Sequence, residues 1–158
     1  MAAPPTLPPI SSLPSLSTSD RTAILDTLFE PCQPLHNLAL PLLSPDSIQT
    51  YAPASGLHHD SYPSYKSLID VVGKEMKALA ESESTSDKDW LDQILSAHPR
   101  LGEKKVESAL SRMEQAAMNN AGKSEGGDKE EESRMLRELN QEYEKKFPGL
   151  RYVCVFPF

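Results

Sequence analysis

Three features of this sequence predict an all-α fold: a single compact bundle of about six helices behind a disordered, proline-rich N-terminal tail. Apolar residues recur at three- and four-residue spacing along most of the chain, the period of one helix face. Serines, glycines and prolines interrupt that period where helices would start and stop. Only one stretch, RYVCVF at 151–156, has the composition of a strand, and one strand makes no sheet. The 158 residues suit one domain. Residues 17–158 would form it, after a tail of residues 1–16.

The tail, MAAPPTLPPISSLPSL, holds five of the 14 prolines and no charge. Proline removes donors and fixes φ, so the stretch reads as extended chain. A first helix begins near Ser17 or Ser19, pairs Ile24 with Leu28 and Leu25 with Phe29, and ends before Pro31. PLHNLALPLL then predicts a short helix, with Leu35, Leu38 and Leu42 at helical spacing and Pro41 interrupting. From Leu43 to Asp60 the chain reads as loop. The clearest helix spans Ser61 to Ser82, with Tyr65, Leu68, Ile69, Val72, Met76 and Leu79 on one face. The next starts at Ser86, with Asp89 completing a capping-box variant. It buries Trp90, Leu91, Ile94 and Leu95 and stops near His98, because Pro99 follows. A helix from about Glu107 to Asn120 buries Leu110, Met113 and Ala117. Residues 122–129, GKSEGGDK, read as a flexible loop. The last helix, Glu130 to Phe147, turns Leu136, Leu139, Tyr143 and Phe147 inward, with Glu130–Arg134 and Glu142–Lys146 as exposed pairs.

Charge and composition exclude several classes of function. Acidic residues outnumber basic ones by 23 to 16, a net charge of −7. Such a surface repels phosphate backbones, so nucleic acid is not expected as a partner. No apolar run reaches the roughly 18–20 residues that cross a bilayer, so no membrane partner is expected either. Cys32 and Cys154 cannot build a disulfide framework or a four-ligand zinc site. The first basic residue is Arg21, and the chain ends Phe156-Pro157-Phe158 rather than in an SKL-type tail. The cytoplasm is the expected location; a peroxisomal address carried elsewhere stays open.

Familiar catalytic signatures are absent: no Gly-rich nucleotide loop, no H-E-x-x-H, no G-x-S-x-G. Cys32 and His36 are a lone pair of ligand types with no second pair. His58 and His59 read as solvated loop residues. The segment SAHPRLG, 96–102, differs. His98 follows Trp90 and Ile94 on the apolar stripe, at a helix end fixed by Pro99. A helix C-terminus favours imidazolium while partial burial opposes it, which suits either a proton-exchanging residue or a core histidine. Gly102 allows the backbone to turn sharply. In the following helix Ser111, Glu114, Gln115 and Met118 share a face. Glu114 also borders Leu110, Met113 and Ala117. It reads either as a solvent-edge carboxylate or as one retained for a task, since burying an unpaired carboxylate is costly.

On these residues the chain resembles the 2-oxo-4-hydroxy-4-carboxy-5-ureidoimidazoline (OHCU) decarboxylase family, in a fungal-like form. The resemblance runs through LDTLFEPCQPL (25–35), SYPSYKSLID (61–70), SAHPRLGEK (96–104), SRMEQ (111–115) and LRELNQEYEKKFPGLRYV (136–153). H-P-x-L-G followed by S-x-x-E-Q is its most specific part. The resemblance implies an all-helical, cofactor-free decarboxylase of urate breakdown that forms (S)-allantoin. It implies His98 and Glu114 as the acid/base pair and Ser111, Gln115 and Pro99 as substrate-binding residues, with no metal. A small-molecule substrate and a homodimer are the partners it suggests.

The chain also departs from the family pattern. Relatives carry an arginine after the apolar segment near the C-terminus, followed by a final helix; here Phe156 stands in that place and the final helix is expected to be missing. PCQPL replaces H-S-P-W. These departures predict weakened substrate binding unless Arg100, Arg112 or Arg151 anchors the substrate's carboxylate. The alternative reading is a catalytically impaired helical protein that binds a ligand or a partner; a third is a proline-tailed adaptor.

Overall fold

The computed structural model of the chain describes residues 6–44, 47–48, 61–102, 108, 111–113, 115–116 and 129–152. Among these residues all regular structure is helical, so the fold is all-α. Packing divides the chain into two compact units, Met1–Leu91 and Asp92–Phe158.

In the first unit α1 spans Thr18–Leu28 and α2 spans Gln33–Ala39. Ser17 caps α1: its hydroxyl accepts from Asp20 N at 3.1 Å and donates to the Asp20 carboxylate at 2.7 Å. α1 buries Ile24 and Leu25, and α2 buries Leu35 and Ala39. Pro41 stops α2 as expected, and the chain continues as a 3₁₀ turn, Pro41–Leu43, that buries Leu42 and Leu43. α3, Tyr65–Glu81, is capped by Ser64 and turns Leu68 and Val72 inward, while Ile69 stays 39% exposed. α2 packs against both α1 and α3. Tyr62 is buried with its hydroxyl donating to Leu42 O at 2.9 Å, which satisfies its one polar atom.

α4 spans Thr85–Leu95. Its cap lies two residues before the expected one. Ser84 accepts from Asp87 N at 3.4 Å, and Ser82 donates to the Asp87 carboxylate at 2.6 Å, so Ser84 and Asp87 replace the Ser86–Asp89 box. In a serine-rich run the cap is set by where the preceding helix releases the chain. Trp90 ties α4 to the start of α2 through Nε1–H to Pro34 O at 3.0 Å.

The tail is the main correction to the sequence reading. Residues 10–15 form a 3₁₀ helix with Leu13 at 0% exposure. Arg21 of α1 donates to Leu13 O at 3.1 Å and Pro14 O at 2.7 Å, and Tyr65 of α3 donates to Pro8 O at 2.8 Å. Proline restricts the free chain as much as the docked one, so ordering this segment costs less entropy than ordering an ordinary tail. One buried leucine and three hydrogen bonds then hold it. Residues 1–5 lie outside the described residues.

In the second unit the end of α4 leads into the turn 96–102, helical residues at 111–113 and 115–116 follow, and α5 spans Lys129–Lys146. Two buried faces differ from expectation. Met113 is 60% exposed, whereas Ser108 and Ser111 are buried. Two residues are about 200° apart on a helix, so a segment that faces inward at Ser111 faces outward at Met113. On α5 Leu139 is 59% and Phe147 41% exposed, while Asn140 is buried. The packed line of α5 runs through Asn140 and the half-buried Leu136, which faces Gly102. Its exposed ion pairs join Arg134 to Glu131 and Glu138. Arg151 and Tyr152 are non-helical, and the remainder of the strand-like RYVCVF stretch lies outside the described residues, as does most of 122–129. Among the described residues no helix is long and apolar enough to cross a membrane.

Candidate functional site

The turn carrying His98 is built by the way α4 ends. Ser96 N donates to Asp92 O at 2.8 Å, Ala97 N to Ile94 O at 3.2 Å and His98 N to Leu95 O at 3.4 Å. The bonds shorten from four-residue to three-residue steps as the helix tightens. Pro99 cannot continue it, and Gly102 completes the turn at φ +79°. His98 and Pro99 are both half-buried. A Cβ added to Gly102 would meet Leu136 Cδ1 at 3.1 Å. Gly102→Ala is therefore expected to cost about 1–2 kcal/mol for the left-handed backbone alone, and to push Leu136 aside. Thermal denaturation, compared with Gly73→Ala on open α3 surface, measures it.

Three side chains from elsewhere in this unit hold the turn. Gln115 Nε2 donates to Arg100 O at 3.4 Å. Asn140 Nδ2 donates to Leu101 O at 2.9 Å. Arg100 is bidentate on Glu144, Nε to Oε1 at 2.6 Å and NH2 to Oε2 at 2.7 Å. Arg151 NH1 adds a third interaction with Glu144 Oε1 at 2.7 Å. Neutralising a carboxylate that carries two guanidinium groups is unfavourable. The Arg100 hydrogen bonds, aided by Arg151 and opposed by burial, keep Glu144 below the usual carboxylate range.

The sign of the resulting pH dependence follows. A carboxyl whose folded pKa is depressed contributes stability above its unfolded pKa, near 4.5, and loses it as pH falls through the folded value. Thermal melts from pH 6 down to below pH 4 are expected to show a steeper loss for the wild-type chain than for Glu144→Gln. Parallel curves would remove Glu144 from the acid response.

The expected site residues are placed as follows. Gln115 is joined to the 98–102 turn through its Nε2. Ser111 belongs to the same helical segment and is 2% exposed, with its N–H bonded to Ser108 Oγ at 3.0 Å. Glu114 lies outside the described residues. Of the three arginines expected to serve as an anion anchor, Arg100 and Arg151 are both engaged by Glu144. Sequence reasoning missed Asn140 and Glu144. Their four-residue spacing in NQEYE, with Asn140 on the apolar side of the last helix, was the available signal.

Beside the turn, α5 borders two depressions. One of about 490 Å³ lies along Leu101, Leu136, Leu139, Tyr143, Phe147 and Tyr152, with the Tyr143 and Phe147 rings 4.9 Å apart. The other, of about 390 Å³, includes Gly102, Arg137 and Gln141. In the first unit Cys32 and His36 have separate surroundings. His36 Nε2 meets Asp26 at 2.5 Å, and burial, with the nearby Asp26 and Glu30 charges, pushes the Cys32 thiol up despite a backbone bond. A protonated thiol is a poor ligand and a poor nucleophile. Among the described residues no cluster of three His, Cys, Asp or Glu could hold a metal ion.

The comparisons with known proteins give one result. The family model for OHCU decarboxylase matches residues 14–156. Neither a curated protein nor a solved structure matches significantly.

Proposed function

Because the chain belongs to the OHCU decarboxylase family, whose activity is that of a carboxy-lyase, we propose that it converts OHCU to (S)-allantoin, with His98 and Glu114 as the acid/base pair. The observation that carries this reading is the hydrogen bond from Gln115 to Arg100 O. It links Gln115 of S-x-x-E-Q to Arg100 of H-P-x-L-G, which supports reading the two motifs as parts of one site.

The chemistry fits residues that place a substrate and move one proton. Cleavage of the bond to the carboxylate releases CO₂ and leaves an electron pair, which the adjacent imine of the substrate takes up. The hydroxyl-bearing carbon becomes a carbonyl as its O–H proton passes to the former imine nitrogen, which the electron pair has made basic, and one further proton is added at the ureido-bearing carbon. His98, with Glu114 stabilising its charged form, delivers that proton to one face, which fixes a single enantiomer. Ser111, Gln115 and Pro99 hold the ring, and hydrogen bonds to the developing anion lower the barrier. No external electron sink is called for by this sequence of steps.

The test is the decay of freshly generated OHCU, followed by absorbance and by the circular dichroism of the allantoin formed. Accelerated decay with one enantiomer in excess supports the proposal. Decay at the spontaneous rate with racemic product sinks it, and thermal stabilisation by a urate-like anion without turnover would favour the ligand-binding alternative.

A further inference from the structure

We propose that Glu144 is a positioning residue for the His98 turn, acting through Arg100 and resting on the decarboxylase reading for what the turn does. The geometry supports a role beyond general adhesion. Exposed ion pairs are worth little, because two long side chains are ordered for a screened attraction. Lys66–Asp70 and Arg134–Glu138, both more than half exposed, are of that kind. Glu144 is only 19% exposed, takes both donors of one guanidinium and a donor of a second, and so is held from two directions.

What it holds is short and stiff. Arg100 is separated from His98 by Pro99 alone, whose ring fixes φ. The next two carbonyls are fixed as well, Arg100 O by Gln115 and Leu101 O by Asn140, one turn before Glu144 on α5. Backbone and side chain of the turn are therefore referred to one face of α5. Arg151, at the other end of the α5 exit, is referred to the same carboxylate. Removal of the Glu144 charge would leave the backbone bonds in place but take away the two-point hold on the Arg100 guanidinium, and His98 would shift with it.

The experiment uses the full chain with Glu144→Gln, which keeps shape and hydrogen-bonding capacity while removing charge. Arg100→Lys keeps charge and loses the fork; it carries the same test should the first variant fold poorly. Glu138→Gln on the same helix is the control. Two readouts are taken: kcat and KM on fresh OHCU, and the His98 Cε1–H resonance in the absence of substrate. Glu144→Gln and Arg100→Lys are expected to lower kcat by about tenfold or more, as small misplacements do, with KM much less changed. Both are expected to displace the His98 resonance, and Glu138→Gln to leave both readouts alone. An unmoved His98 resonance with unchanged kcat in both variants overturns the proposal even if melting temperatures fall. If the wild-type chain does not decarboxylate OHCU, the functional reading fails separately, and the resonance alone decides whether Glu144 positions the turn.

Discussion

Replacing His98 by alanine is expected to lower turnover by roughly 10²–10⁴-fold, the range a positioned general acid or base supplies, while the chain stays folded. His98 sits at the last step of a tightening helix end, half-buried, with its backbone N–H bonded to Leu95 O. Alanine keeps that backbone bond and favours helix, so the local structure should survive. Glu114→Gln is expected to lower kcat as well, by a smaller factor, because an amide solvates an imidazolium less well than a carboxylate. Wild-type turnover in His98→Ala would remove the proposed mechanism. A cooperative loss of structure instead would make His98 a core residue, the reading its place on the apolar stripe also allows.

Deleting residues 1–16 is expected to cause a large loss of stability, because it removes a fully buried side chain together with the hydrogen bonds that hold the segment. Leu13 is fully buried, and a leucine truncated to alanine in such a place costs about 2–5 kcal/mol. For a chain of this size that corresponds to roughly 4–20 °C in melting temperature. Leu13→Ala alone should give most of the fall, and the deletion should add the loss of two carbonyl partners for Arg21 and one for Tyr65. Removal of Met1–Pro5 gives the reference. A full deletion that melts with the wild-type chain would show that the 3₁₀ segment is an adornment.

The parts of the fold that were legible in the sequence are those decided within a few residues. Ser17 and Ser64 cap the helices that follow them, Pro41 and Pro99 stop the helices that precede them, and Gly102 takes the positive φ that its place after H-P-R-L requires. The stripe of α3 follows its period closely at Leu68 and Val72. Where several candidates stood together, as in the serine run before α4, periodicity alone chose the wrong one.

The candidate site divides in the same way. His98, Pro99, Ser111, Glu114 and Gln115 are read from motifs, because motif residues are defined by type and spacing. Asn140, Glu144 and the engagement of Arg100 and Arg151 are not. An asparagine on an apolar stripe looks like an interruption until a carbonyl 39 residues away is seen to need it.

The sequence by itself determined the helical class, the helix stops at proline and the family, since each depends on local propensity, on stop residues or on short motifs. Only the tertiary structure decided which faces are buried and which arginines are paired. It turned Met113 and Leu139 outward, buried Ser111 and Asn140, and docked Leu13. The physical reason is that burial and pairing are settled by neighbours distant in the chain. A polar group is turned inward wherever its hydrogen bonds are satisfied there, and a leucine is left outside wherever no surface remains to receive it.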